Sequence, residues 1–270
     1  MHDRSRSNEE ALKLSAAAAG YDERLVFSDL DLSIARGRVT ALCGPNGCGK
    51  STVLKAMRAM LPLREGGVFL DGKPLAGWAP KALAREIAML SQSPSAPDEM
   101  TVADLVNLGR YAHRRGLARK GTADRQAVAA ALAATDLAGL AHRPIGTLSG
   151  GQMQRVWIAM VIAQAAPVIL LDEPTNHLDI AHALDTLSLV RRLSHEEGKT
   201  VVVVLHDLNL AARFADDIVF LKEGRVAAAG PVARIFHAQS IAEVFGIHCR
   251  VLSDEETGRP FCIPLAARGR

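Results

Sequence analysis

Gly44-Pro45-Asn46-Gly47-Cys48-Gly49-Lys50-Ser51-Thr52 follows the apolar run Val39-Thr40-Ala41-Leu42-Cys43, and this stretch decides the fold. It fits G-x-x-x-x-G-K-S/T, the phosphate-binding loop. Gly44, Gly47 and Gly49 can take backbone conformations denied to other residues, so consecutive N–H groups can converge on a phosphate chain. Lys50 is placed to reach the β- and γ-phosphates, and the Ser51 hydroxyl to ligate Mg²⁺. The residues from Thr52 to Leu61 are helix-permissive, which puts the positive end of a helix dipole beneath the anion. The order strand, loop, helix reads as nucleotide binding.

Working outward, 270 residues suffice for one large domain or two. The chain is 49% hydrophobic and 23% charged with a net charge of +3, ordinary for a globular protein and no argument for a nucleic-acid partner. The apolar run from Val156 to Leu171 is broken by Gln164 and Pro167, so no segment is expected to span a bilayer. The opening MHDRSRSNEE does not read as a signal peptide. Cys43, Cys48, Cys249 and Cys262 show no C-x-x-C spacing, and two lie at the phosphate loop, which points to a reducing compartment.

Upstream of the loop, Ala11 to Ala19 reads as a strand that ends at Tyr21. A second strand is expected at Leu30 to Ile34, where apolar and polar residues alternate as on an edge with one wet face. Downstream, Gly66 to Gly72 reads as a short hairpin and Ile87 to Gln92 as a strand with a polar end. From about 95 to 165 the chain is Ala-, Leu- and Arg-rich with helical spacing, an inserted helical subdomain. Its basic cluster, Arg110, His113, Arg114, Arg115, Arg119 and Lys120, reads as a solvated face. Val168 to Leu171 and Thr200 to Leu205 are buried parallel strands joined by a helix from Ala181 to Glu197. A hairpin from Ile218 to Val226, one helix from Val232 to Phe245, and a two-stranded tail from His248 to Pro264 complete the chain.

Two further stretches carry chemistry. Val168-Ile-Leu-Leu-Asp172-Glu173 sets two carboxylates at the carboxyl end of a buried strand, where open α/β sheets bind ligands. One carboxylate can hold Mg²⁺ and the other polarise a water. In Leu148-Ser149-Gly150-Gly151-Gln152 a serine and two glycines open a helix, a second anion site whose use requires it to face another nucleotide across an interface.

The chain resembles the nucleotide-binding subunits of ABC transporters over nearly its whole length. The resemblance rests on the phosphate loop, Gln92 in LSQ, the signature LSGGQ, Asp172-Glu173, the D-loop from Thr175 to Asp179, and His206 in VLHDLN. It implies a RecA-like α/β core (1–94 and 166–225) with an antiparallel N-terminal sheet, a helical subdomain (95–165) and a C-terminal extension (226–270). It also implies that Tyr21 stacks on adenine and that Glu173 is the catalytic base. Gln92 senses Mg²⁺ and the permease, and His206 contacts the γ-phosphate. The implied assembly is a head-to-tail homodimer in which Ser149, Gly150, Gly151, Gln152 and Asp179 act on the partner's ATP. It would sit on two transmembrane permease subunits at the cytoplasmic face of the inner membrane, with a substrate-binding protein engaged indirectly. Within the family, DEPTNHLDI (172–180), VLHDLNLA (204–211) and GRPFCIPL (258–265) resemble ferric-siderophore importer ATPases, with haem or cobalamin import as the alternative. A soluble, non-transport ABC ATPase is the more distant one.

Overall fold

The computed structural model describes residues 9–114, 121–176 and 178–267. Its centre is β3 (Val39–Cys43), whose five residues are all buried, as expected of a strand covered on both faces. β3 pairs in parallel with β8 (Thr200–Val204) on one side and β9 (Asp217–Lys222) on the other. β7 (Val168–Leu171) pairs with β8, and β6 (Ile87–Leu90) with β7; β10 (Arg225–Pro231) closes the opposite edge antiparallel to β9. The order β10-β9-β3-β8-β7-β6 separates two apolar cores. Alternation divides β8 between them: Val201 and Val203 enter one, Val202 and Val204 the other.

The second core lies under an antiparallel sheet of order β2-β1-β4-β5, made by β1 (Glu10–Tyr21), β2 (Arg24–Ala35), β4 (Glu65–Leu70) and β5 (Lys73–Pro74). β2 begins six residues before the alternating run, because its first half is held by pairing with the end of β1. Between the sheets runs α1 (Lys50–Met57). It starts two residues earlier than expected, since its N-cap Gly49 has φ 105°, and stops short of Leu61 because Ala59 turns left-handed at φ 55°.

In the chain between β6 and β7 come the helices α3 (Val102–Leu108), α4 (Thr122–Ala134) and α5 (Gly150–Ala163), with α2 (Pro80–Glu86) preceding β6. Here the basic cluster departs from its reading as a solvated face. Arg110 is only 7% exposed; its Nε bonds Asp124 Oδ1 at 2.9 Å and an Nη bonds the Ala163 carbonyl at 2.8 Å. His113 reaches the Gln164 carbonyl at 2.8 Å. These residues tie α3's end to α4 and α5, a tertiary demand that helical spacing does not display. Arg115, Arg119 and Lys120 of that cluster, and residues before Glu9, lie outside the described residues.

After β7 come α6 (Ile180–His195) and, beyond β8, α7 (Leu208–Phe214). The single helix expected from Val232 to Phe245 is two, α8 (Val232–Ile235) and α9 (Ala238–Phe245). His237 stands extended between them and caps α9, its Nδ1 accepting from the Ser240 N–H at 3.2 Å. β11 (Ile247–Ser253) and β12 (Pro260–Ala267) form a hairpin of their own, packed against α9 and α7.

Candidate nucleotide-binding site

The loop from Gly44 to Gly49 leaves the end of β3 and closes on α1. A Cβ on Gly44 would stand 2.2 Å from the Leu221 carbonyl oxygen, so only glycine lets the loop start against β9. The Lys50 ammonium is buried and folds back on its own loop, donating to the carbonyls of Gly44 at 2.8 Å and Pro45 at 3.0 Å. Among the described residues no carboxylate pairs with it. A buried cation beside exposed loop amides is charge laid out for an anion.

Asp172 and Glu173 follow β7. Asp172 is 2% exposed, and Oδ1 accepts from Ser51 Oγ at 2.9 Å. Burial pushes its carboxyl above the ordinary range and the Glu173 charge adds to this, against the Ser51 hydrogen bond. A hydroxyl and a carboxylate oxygen converging beside the phosphate loop are the oxygen donors Mg²⁺ takes, so the residues fit the ion.

Glu173 takes a left-handed backbone at φ 53°, a conformation costing a non-glycine residue roughly 1–3 kcal/mol. Three side chains hold the carboxylate it presents. Gln92 Nε2 donates to Oε2 at 2.6 Å, His206 Nε2 meets Oε1 at 2.5 Å, and the Asn176 amide bonds Oε2. Gln92 and His206 come from beyond the ends of β6 and β8, the two neighbours of β7. The site is therefore assembled from adjacent strand ends. Asn176 was not singled out from the sequence. Its signal was the three-residue spacing from Glu173, which a turn closes by the Asn176 N–H bonding the Glu173 carbonyl at 3.2 Å.

Lys50, Ser51, Gln92, Glu173, Asn176 and His206 line one cleft of about 820 Å³, together with Asn46, Gly47, Gly49, Thr52 and Val26, while the buried Asp172 lies behind Ser51. Pro45, Cys48 and Gly44 shape the loop behind it; burial raises the Cys48 thiol's pKa and pushes that of Cys43 up to about 12, so both are packing groups at neutral pH. Tyr21 is not part of that lining. It is 45% exposed, with Lys55 donating to its hydroxyl at 3.3 Å and standing over its ring.

The signature residues also lie elsewhere. Ser149 caps α5 as a reciprocal pair: its hydroxyl accepts from the Gln152 N–H at 3.3 Å, and Gln152 Oε1 accepts from the Ser149 N–H at 3.1 Å. Gly150 and Gly151 form the first turn, and the His182 ring lies against Gly151. Asp179 caps α6 and accepts from the His182 backbone N–H at 2.8 Å, which with the His182 ring holds its carboxyl below the usual range. His177, in the same D-loop, lies outside the described residues. Ser149, Gly150, Gly151, Gln152 and Asp179 do not line the cleft of their own chain.

Residues 27–176 match the ABC transporter family model. The chain belongs to the ABC transporter family of ATP-binding subunits. It is 43% identical to the iron(3+)-hydroxamate import ATP-binding protein FhuC of Bacillus subtilis (strain 168) over 253 residues, 94% of each chain. With the ferric enterobactin transport ATP-binding protein FepC of Escherichia coli (strain K12) it shares 42% over 91% of each chain. With the hemin import ATP-binding protein HmuV of Streptomyces coelicolor (strain ATCC BAA-471 / A3(2) / M145) it shares 42%, over 92% of this chain and 89% of that one. Among solved structures, an inward-facing metal-chelate-type ABC transporter superposes with a TM-score of 0.82 at 28% identity, covering 95% of this chain and 98% of that one. The dimeric structure of a bacterial ABC transporter cassette superposes at 0.73 with 32% identity, covering 82% and 98%. The chain is thus an ABC ATPase with a P-loop α/β core, an antiparallel β subdomain and helical regions.

Proposed function

We propose that this ABC ATPase binds MgATP in the cleft at Lys50 and hydrolyses it at Glu173, in a head-to-tail dimer, to drive import of a ferric siderophore through a membrane permease. The observation that carries the reading is the Glu173 carboxylate, held at the cleft mouth by Gln92, His206 and Asn176. Lys50 and the loop amides bind the phosphates. Ser51, Asp172 and Gln92 would hold Mg²⁺, which on binding supplies positive charge to the phosphate oxygens. Glu173 takes the proton of the attacking water at a carboxylate oxygen, and His206 keeps that oxygen oriented toward the γ-phosphate.

Ser149, Gly150, Gly151, Gln152 and Asp179 complete the partner's site. Their position outside their own cleft supports this assignment, as do the exposure of Ser149, Gly150 and Asp179 and that of Ile180, 80% exposed next to Asp179. Tyr21 stacks on the adenine that occupies the side of the cleft nearest Val26. The assembly comprises two copies of this chain, two permease subunits and, indirectly, a substrate-binding protein, with the ATPase peripheral on the cytoplasmic face of the inner membrane. Among the described residues no helix is long and apolar enough to cross a membrane. The cleft between α2 and the end of α3, flanked by exposed Leu108 and Tyr111, offers an apolar seat for the permease.

Similarity to a hemin import ATPase at an identity equal to that of FepC favours haem as a second cargo. Co-purification with the permease followed by uptake assays with ferric siderophore, haem and cobalamin tests the reading. Uptake of a ferric siderophore that depends on Glu173 supports it, and uptake of haem or cobalamin alone rules the siderophore out.

A further inference from the structure

α7 begins two residues after His206 and is seven residues long. A helix that short has no stability of its own in water, so its direction must come from what it packs against. Its N-terminus is capped locally, Asp207 Oδ1 accepting from the N–H groups of Asn209 at 2.7 Å and Leu210 at 3.0 Å. That cap fixes the first turn but not where the helix points.

The aim is set by the C-terminal hairpin. The Asn209 side-chain amide pairs with the main chain of Cys262 in β12 as one strand pairs with another. Asn209 Oδ1 accepts from the Cys262 N–H at 2.7 Å, and Nδ2 donates to the Cys262 carbonyl at 3.1 Å. At the other end of α7, Arg259, just before β12, donates to the carbonyls of Ala215 at 2.8 Å and Ala212 at 3.5 Å, where a helix leaves acceptors unpaired. One hairpin thus grips both ends of one short helix. The hairpin is itself braced from behind, because β11 packs on α9 and α9 packs on β9 of the central sheet.

We infer that Asn209, clamped to the main chain of Cys262, is a positioning residue that sets His206 against the Glu173 carboxylate, and that the C-terminal hairpin is thereby part of the machinery of hydrolysis. The inference rests on the reading of His206 as an ATPase residue. Fixing α7 through the hairpin holds the His206 backbone at the start of the helix, and with it the imidazole reaching Glu173 Oε1. Displacing a group at a reacting centre by an ångström costs up to about a hundredfold in rate, whereas nucleotide affinity, carried by the phosphate loop, is indifferent to it. A hairpin that merely covered the apolar side of α7 would change stability and leave turnover per folded molecule alone.

The experiment uses the full chain with its permease, measuring ATPase rate against MgATP concentration for Asn209→Ala, Asn209→Asp, His206→Ala and the double variant His206→Ala/Asn209→Ala. Asn209→Asp keeps the shape and the acceptor but turns a carboxylate oxygen toward the Cys262 carbonyl. If Asn209→Ala does not fold, Asn209→Asp is judged by the same criteria. Glu197→Gln, exposed in the turn after α6 and outside both the hairpin and the cleft lining, serves as the control and should keep the parent rate. The expected result is a kcat about tenfold lower for each Asn209 variant, with KM for ATP within about twofold, and no further loss when Asn209→Ala is added to His206→Ala. Wild-type kcat in the folded Asn209 variants, or a loss that multiplies with that of His206→Ala, overturns the inference and leaves the ATPase reading standing. If His206→Ala itself turns over at the parent rate, the reading of His206 falls first and the inference with it.

Discussion

Ser51 and Asp172 stand 121 positions apart in the chain, yet Ser51 Oγ donates to Asp172 Oδ1 at 2.9 Å. The two arrive from β3 and β7, which do not pair; β8 lies between them and sets their separation. The bond joins two of the three groups proposed to hold Mg²⁺, and it lies where burial, with the Glu173 charge adding to it, raises the carboxyl's pKa. The fold thus penalises the charge on Asp172, and a cation bound there would relieve it.

Asp172→Asn should consequently stabilise the nucleotide-free chain while abolishing Mg²⁺-dependent ATP hydrolysis. A carboxyl raised in the folded state binds more protons folded than unfolded, so its charge lowers stability as pH rises from the unfolded value, about 3.9, through the folded one. Thermal unfolding of the two proteins should coincide in acid, and Asp172→Asn should melt higher once the pH has passed that window. An Asn variant that melts lower at neutral pH contradicts the account.

Replacing Glu173 by Gln preserves shape but removes the proton acceptor, so hydrolysis should fall by about 10²- to 10⁴-fold while ATP binding survives. Bound ATP should then trap a dimer visible by gel filtration. Parent-rate hydrolysis would remove Glu173 from its role. Asn176→Ala provides the companion measurement, since loss of one of three partners of the carboxylate should lower the rate by less than the loss of Glu173 itself.

Arg110 and Asp124 form a buried pair, with side chains 9% and 14% exposed. Arg110→Leu should destabilise the folded chain by roughly 1–3 kcal/mol, because the partly buried Asp124 carboxylate and the Ala163 carbonyl each lose their donor. Arg110→Leu/Asp124→Leu should recover much of the loss. Since the Arg110 hydrogen bond holds the Asp124 carboxyl low, this contribution is present above the unfolded pKa and is lost as pH falls through the folded one. Urea titrations of the three proteins across pH decide it; equal midpoints for single and double variants would refute the pairing as the cause.

The proposed facing arrangement of signature and phosphate loop makes a complementation prediction. Lys50→Ala and Ser149→Arg should each inactivate both sites of a homodimer. A mixed dimer contains one site with both defects and one with an intact Lys50 loop opposite an intact Ser149. Mixing the two inactive proteins, with the permease present, should restore ATPase activity up to that of one wild-type site per mixed dimer. Continued inactivity without any ATP-dependent heterodimer over a range of ratios would falsify the arrangement.

The phosphate loop and Asp172-Glu173 were legible in the sequence because each is fixed by a local backbone event, a glycine turn and a strand end, whereas His206 was named only through the family resemblance. The parallel strands β7 and β8 were legible as uninterrupted apolar runs. What escaped depends on groups distant in the chain. Arg110 looks solvated in any helical projection, and only the approach of the Ala163 carbonyl from α5 buries it. The break between α8 and α9 carries neither proline nor glycine, and becomes visible only when His237 caps the second helix. Asn209 reads as one polar residue after the switch histidine until the tail folds back upon it.

The curled Lys50 has a consequence for how ligands are chosen. Two of its three N–H protons go to the Gly44 and Pro45 carbonyls, so a phosphate arriving at the proposed site competes with those carbonyls for its donors. Binding is then an exchange of partners, and its net gain is the difference between an anion and two neutral acceptors. Weak or singly charged anions abundant in the cell gain little by that exchange, whereas a polyphosphate, which engages the loop amides at the same moment, gains enough. The loop thereby screens its visitors by charge density before any base is recognised.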